Sequence, residues 1–210
     1  WRTAAFLKYG RGALFFAGPQ MQKLLVLSAQ DGRILWEDAY DNFQLVLRED
    51  GLYGVGGGKW GENISRLFEP LTGKVIAELP IGRRACTRPT ATHEAVYFRA
   101  MGGTVRFNTK SGRPLWISPM RPECHNGVII ANGGLYWSPY ACDCQLTLNA
   151  FVGVANAKDF KFAVHAGNDR LMTGEEGIAP ISDAPPSQSD WPTFRANNGA
   201  TCASRASIPP

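Results

Sequence analysis

The chain of 210 residues has few charges, few histidines and no long apolar run. Charged residues make up 19%, below the quarter or so usual for soluble domains. No run of Lys or Arg backs the net charge of +4, so the mild basicity does not point to nucleic acid. No apolar stretch reaches the ~18 residues that a membrane span needs. Several motifs are also missing. There is no GxSxG elbow, no phosphate loop with GxxxxGK[ST] spacing and no spaced DxDxDG loop. No Ser/His/Asp set can be assembled from the motifs that are there. Gly 23 and Pro 14 are high but show no three-residue period, and 44% of residues are hydrophobic. Together these exclude collagen, a coiled coil and a wholly disordered chain. The chain opens at Trp1 with no charged and apolar leader pattern, as expected of a processed chain or a piece of a longer one.

What is present is a repeat. Four aromatic segments, Leu14-Phe15-Phe16, Leu52-Tyr53-Gly54, Val96-Tyr97-Phe98 and Leu135-Tyr136-Trp137, have central residues 38, 44 and 39 positions apart. A strand with alternating apolar residues follows each: Leu25/Leu27, Leu67, Val105/Phe107 and Leu146/Leu148. A turn comes next, at Asp31-Gly32, Thr72-Gly73, Ser111-Gly112 and, in weaker form, Val152-Gly153. Its glycines are 41, 39 and 41 apart. A small polar residue before Gly suits a tight turn that needs positive φ. Two landmarks with one period of about 40 residues predict a β-propeller, because such a unit buries its faces only against its neighbours. The expected fold is all-β, with about four visible blades of four antiparallel strands. That is few for a closed ring, so the chain is expected to belong to a larger propeller.

The segment Phe107-Asn108-Thr109-Lys110-Ser111-Gly112-Arg113-Pro114-Leu115-Trp116 resembles the repeat of pyrroloquinoline-quinone-like propellers. Leu27 to Trp36 is similar to it, as is Phe68 to Ala77, where Ala77 replaces the final Trp. The resemblance covers roughly residues 4 to 155. It implies that Trp36 and Trp116 pack between neighbouring blades. Beyond it, 156–190 reads as an irregular segment with the linker Ala184-Pro185-Pro186-Ser187-Gln188-Ser189. Trp191-Pro192-Thr193-Phe194-Arg195 resembles the stretch that begins a propeller in that family. Residues 191–210 are therefore expected to start a further propeller segment or to supply a closing strand.

Five cysteines carry the remaining chemistry: Cys86, Cys124, Cys142, Cys144 and Cys202. Cys86 and Cys124 fall at equivalent places before Tyr97 and Tyr136, near the propeller axis. Two disulfides among Cys86, Cys124, Cys142 and Cys144 are the favoured reading, and they imply an exported protein. A metal held by Cys124, Cys142, Cys144 and His125 is a second reading, and inert buried thiols a third. Cys202 is left over. The stretch from Cys124-His125 to Cys142-Asp143-Cys144 also resembles a cysteine-bearing block of planctomycete-type propeller proteins, which implies no activity. His93 and His165 read as loop residues, and Gly54 to Lys59 as a glycine-rich loop. Asp38, Asp41, Glu49 and Asp50 read as solvated residues of the connection between the first two blades.

The function expected is a secreted or periplasmic binding or scaffold module with no catalytic set. It would take a protein partner or small ligand at the propeller face, beside the remaining blades of its parent chain. No nucleic acid, membrane span or cofactor is expected. The family resemblance implies one alternative, a quinoprotein dehydrogenase fragment holding pyrroloquinoline quinone with calcium on the axis. There the quinone lies between a Trp face and a disulfide of adjacent cysteines. This chain has no adjacent pair, since Asp143 separates Cys142 from Cys144, and no cofactor residue carries over.

Overall fold

The computed structural model describes residues 5–18, 23–39, 44–57, 64–82, 87–100, 102–139, 150–157, 191 and 196–207. Among them are fifteen strands and no helix. The first sheet holds β1 (Phe6–Gly10), β2 (Ala13–Ala17), β3 (Leu24–Ser28) and β4 (Ile34–Asp38). The second holds β5 (Gln44–Arg48), β6 (Gly51–Gly57), β7 (Ile64–Phe68) and β8 (Val75–Glu78). The third holds β9 (Thr90–Ala91), β10 (Ala95–Ala100), β11 (Gly103–Asn108) and β12 (Arg113–Ser118). The fourth has three described strands, β13 (Ile129–Ala131), β14 (Gly134–Trp137) and β15 (Val152–Ala155). Every sheet is an antiparallel meander in chain order.

The meanders are the blades of a β-propeller. Their first strands touch in series, β1 with β5, β5 with β9 and β9 with β13, so these strands are innermost. The fourth strands are outermost, and their burial falls accordingly. Period-two alternation explains the radial stacking. In β5, Leu45 and Leu47 enter a core shared with Phe15, Leu24 and Val26 of the first blade. Val46, between them, enters the next core with Val96, Phe98 and Phe107 of the third blade. In β10, Val96 and Phe98 face backward while Tyr97 faces forward, onto Val128, Ile130 and Trp137 of the fourth. One strand thus feeds two cores, which is why no blade buries its faces alone.

The turn between the third and fourth strands repeats in three blades. Gly32, Gly73 and Gly112 have φ of 74°, 72° and 66°. Each donates its N–H to the carbonyl four residues back, of Ser28, Glu69 and Asn108, at 2.9, 3.0 and 2.9 Å. The side chain at that earlier position closes the turn from below. Glu69 accepts from the N–H groups of Leu71 and Thr72, and Asn108 from those of Lys110 and Ser111. The hydrogen bond with the Thr72 side chain, followed by those N–H groups, holds the Glu69 carboxyl below its ordinary pKa.

Three local expectations are corrected. Val152-Gly153 is not a turn: both residues lie in β15, where Gly153 pairs with Tyr136 and its missing Cβ leaves room for that ring. Gly54 to Gly57 is not a loop but part of β6, with a register shift against β7. There Gly56 has φ of 65° and donates to Ser65 Oγ at 2.9 Å. The acidic residues do not share one connection. Asp38 ends the outermost strand β4 and pairs with Arg66, whereas Glu49 and Asp50 form the turn between β5 and β6. Leu146/Leu148 and Asp41 lie outside the described residues.

Trp36 and Trp116, equivalent in the repeat, differ in surroundings. Trp36 is half-buried on the second blade. Its ring lies 5.5 Å from that of Phe68, and Nε1 donates to the carbonyl of Pro70 at 2.8 Å. Trp116 is 55% exposed and donates to the carbonyl of Gly102 within its own blade. The surface that receives Trp36 is the β7–β8 turn. Its counterpart in the fourth blade would follow β15, outside the described residues.

A Cβ at Gly73 would lie 2.5 Å from the Trp36 ring, whereas one at Gly112 would meet nothing. Gly112→Ala should therefore cost only the left-handed backbone penalty, about 1–2 kcal/mol. Gly73→Ala adds overpacking of about 1–3 kcal/mol. Urea denaturation should rank Gly73→Ala as the less stable, and equal midpoints would contradict the interblade seat of Trp36. By the same contacts, Trp36→Ala should cost about 3 kcal/mol, and Trp116→Ala, being mostly exposed, less than about 1 kcal/mol.

Candidate functional site

In a meander the turn after the first strand and the turn after the third lie at the same end of the blade. Three such first turns meet here: Arg11-Gly12, Glu49-Asp50 and Thr92 to Glu94. Thr109 and Lys110 come from the β11–β12 turn at that same end. The C-terminal residues 196–205 complete the wall. Together they enclose an open cleft of about 720 Å³, lined by Arg11, Arg48, His93, Lys110, Asn197 and Arg205 among others.

The C-terminal segment is a strap laid along the inner strands. Tyr9 of β1 donates its N–H to the carbonyl of Gly199 at 3.0 Å, and Leu47 of β5 donates to that of Thr201 at 3.3 Å. Ala91 of β9 donates to the carbonyl of Cys202 at 2.9 Å and accepts from Ser204 N–H at 3.0 Å, a parallel bridge centred on Ala203. Among the described residues the innermost strands have no sheet neighbour on their axial side, and the strap satisfies one backbone donor on each of three blades. Asn197 braces it, its side chain accepting from Thr201 N–H and donating to Thr201 Oγ1. Ala206 then enters the core between the third and fourth blades.

Arginines bind the turns to one another. Arg11, at φ of 53° in a two-residue turn with Gly12 at 72°, donates to the carbonyls of Arg48 and Glu49 on the next blade. Arg48 donates to the carbonyls of Thr92 and His93 on the third blade, at 2.7 and 2.8 Å. It also forms a bidentate pair with Asp50, at 2.8 and 3.1 Å, and reaches Thr109 Oγ1. Asp50 accepts from Tyr53 OH at 2.7 Å. Burial opposes the charged form of Asp50, but the hydrogen bonds from Arg48 and Tyr53 outweigh it and hold the carboxyl below its ordinary pKa. Burial first, then the bond to Asp50, pushes the Tyr53 hydroxyl well up, so Tyr53 stays a donor. Arg205 on the strap pairs with Glu49 at 2.5 Å. The Lys110 ammonium has no hydrogen-bond partner among the described residues. The described walls thus combine four cations with two carboxylates.

The sequence singled out other residues. Cys124 is buried in the turn before β13, where its sulfur accepts from Arg121 Nη2 at 2.9 Å. Its neighbour His125 is exposed and donates its backbone N–H to Glu123 Oε1 at 2.9 Å. Cys86, Cys142, Cys144 and His165 lie outside the described residues. Among the described residues no three His, Cys, Asp or Glu side chains gather as a metal site. Sequence reasoning passed over Arg11 and Arg48, and it named the strap residues only within 191–210, as the start of a further propeller segment or a closing strand; for the two arginines the hairpin chemistry of Arg11-Gly12 was the one available signal. The described residues do not fit pyrroloquinoline quinone with calcium. The strap backbone lies along the axial side of three inner strands, where such a quinone would sit.

No protein-family model matches the chain. No curated protein sequence matches it. Among solved structures it is similar to BamB from Moraxella catarrhalis, at 16% identity and TM-score 0.46 over 63% of this chain and 39% of that one. It is also similar to Hsv2 from Kluyveromyces lactis, at 11% identity and TM-score 0.40 over 64% of this chain and 42% of that one. The chain therefore spans about two fifths of the length of the structures it matches. The assignment as a β-propeller rests on its own sheets. No helix of the described residues is long and apolar enough to cross a membrane.

The Asp50 pair gives a signed pH dependence. Its carboxyl is depressed in the folded state, so its contribution is complete above the ordinary carboxylate range and drains as pH falls through the folded value. Asp50→Asn should be less stable than the parent protein at neutral pH. The gap should close on acidification through and below the carboxylate range, as read by urea midpoints at each pH. A gap that stays constant would mean that the pair contributes nothing.

Proposed function

We propose that the chain is a binding module of the cell envelope, part of a quinoprotein-like propeller that takes a ligand at its face and has no catalytic set of its own. The observation that carries this reading is the cleft of about 720 Å³, walled by the turns of three blades and the strap. Its volume lies in the range of ligand sites. Its mix of backbone groups, hydroxyls and an excess of cations favours an anionic occupant, such as an acidic stretch of polypeptide. The outer faces of the first and fourth blades, with Leu7, Tyr9, Tyr136 and Val154 exposed, accord with further blades as neighbours in the parent chain.

A labelled Glu/Asp-rich peptide, titrated at low salt, should saturate the protein, and the affinity should fall as salt is raised. Lys110→Glu should weaken binding by about tenfold or more, a loss of about 1.4 kcal/mol. Its side chain is exposed, so the fold should be kept. A basic peptide of equal length binding as well, or an unchanged affinity in Lys110→Glu, would overturn the assignment of the cleft.

A further inference from the structure

Apart from the binding reading, the strap carries a second piece of chemistry. Lys8 on β1 and Cys202 on the strap are separated by 194 positions in sequence, yet Lys8 Nζ lies 2.7 Å from Cys202 Sγ. Both are buried, at 1% and 2% exposure. A buried lysine is rare unless its amine is engaged, and here a thiol stands within hydrogen-bond distance of it. The strap backbone is bent to make the contact. Ala200 and Cys202 both adopt left-handed φ, of 50° and 59°, a conformation that is unfavourable for residues with a Cβ. The flanking hydrogen bonds of Thr201 and Cys202 carbonyls to Leu47 and Ala91 hold Cys202 in that conformation.

We propose that Lys8 and Cys202 are a site of oxidative modification, at which one oxygen atom is inserted between Nζ and Sγ to give a covalent N–O–S cross-link. Ordinary N–O and O–S bonds meeting at a bent oxygen leave nitrogen and sulfur at very nearly the observed separation, so the link forms without moving either backbone. The oxidant is a peroxide. In the first step the sulfur attacks hydrogen peroxide; an S–O bond forms, the O–O bond breaks, and water leaves a sulfenic acid. In the second step another peroxide oxidises the pair. The amine N–H and sulfenic O–H bonds break, the N–O bond forms, and the peroxide is reduced to two waters. The sum is one thiol, one amine and two peroxides giving one N–O–S link and three waters. Peroxide is little larger than water. Thr201 and Ala203, on either side of Cys202, line the open cleft, which brings it within one residue of the sulfur.

The product would tie the strap to the first blade. The strap also holds the second and third blades, so one covalent bond would close a loop of nearly the whole chain. Such a constraint acts mainly on the unfolded state.

The test is peptide mapping of the purified folded protein before and after hydrogen peroxide, under non-reducing conditions. A peptide pair joined through Lys8 and Cys202, heavier by one oxygen and lighter by two hydrogens than its separate parts, is the expected result. It should revert with dithiothreitol, be absent from Cys202→Ser, and raise the thermal midpoint of the oxidised protein above that of the reduced one. Cys202 recovered as sulfinic acid with Lys8 unmodified would overturn the proposal. So would Cys202 in a disulfide with another cysteine, or Cys202 untouched by peroxide.

Discussion

Each blade depends on sheet-to-sheet burial, and the inner strands decide how that burial is shared. β5 sends Leu45 and Leu47 one way and Val46 the other. A shift of one residue in its pairing with β6 would exchange the two sets and spoil both cores. The same holds at β10, where Phe98 and Tyr97 point to different neighbours. Register is thus fixed by two cores at once. Polar devices work within that frame: the glycine turns shape the outer edge, and Arg11 and Arg48 lace the inner turns from blade to blade.

Those arginines both build the cleft and limit its chemistry. Most of the hydrogen-bonding capacity of Arg48 goes to Asp50 and the backbone of the third blade, with its side chain only 7% exposed. It is a structural cation whose field reaches the cleft. Lys110, carried on a turn that is otherwise closed by Asn108, is free to answer a ligand. The cleft therefore separates a rigid floor from an adaptable rim, an arrangement that suits the binding role proposed for it.

The fold was legible because two features with independent physical causes kept one period. Aromatic residues mark the second strand of every blade, paired in three of the four, and a glycine at positive φ marks three of the outer turns. The fourth blade misled for the same reason. Val152-Gly153 resembles the turn by composition, but without a closing side chain like Glu69 or Asn108 nothing bends it, and it pairs as strand. The Asn132-Gly133 hairpin, with both residues at positive φ, carried a strong signal that the aromatic landmark overshadowed. The cleft was not legible. It depends on carbonyls accepting from Arg11 and Arg48, and backbone acceptors leave no trace in residue type. The strap was visible only as a family-like Trp-Pro stretch, because its contacts too are made by main chain.

The strap also fixes the order in which the contacts of these three blades can form. Gly199, Thr201 and Cys202 leave a ribosome more than 100 residues after their partners Tyr9, Leu47 and Ala91, which lie in the innermost strands of three described blades. Those blades can stack while synthesis continues, yet these axial donors of their inner strands wait for the strap. Contacts so distant in sequence form slowly. A nascent chain at this stage would present unpaired inner edges of the kind that molecular chaperones shield.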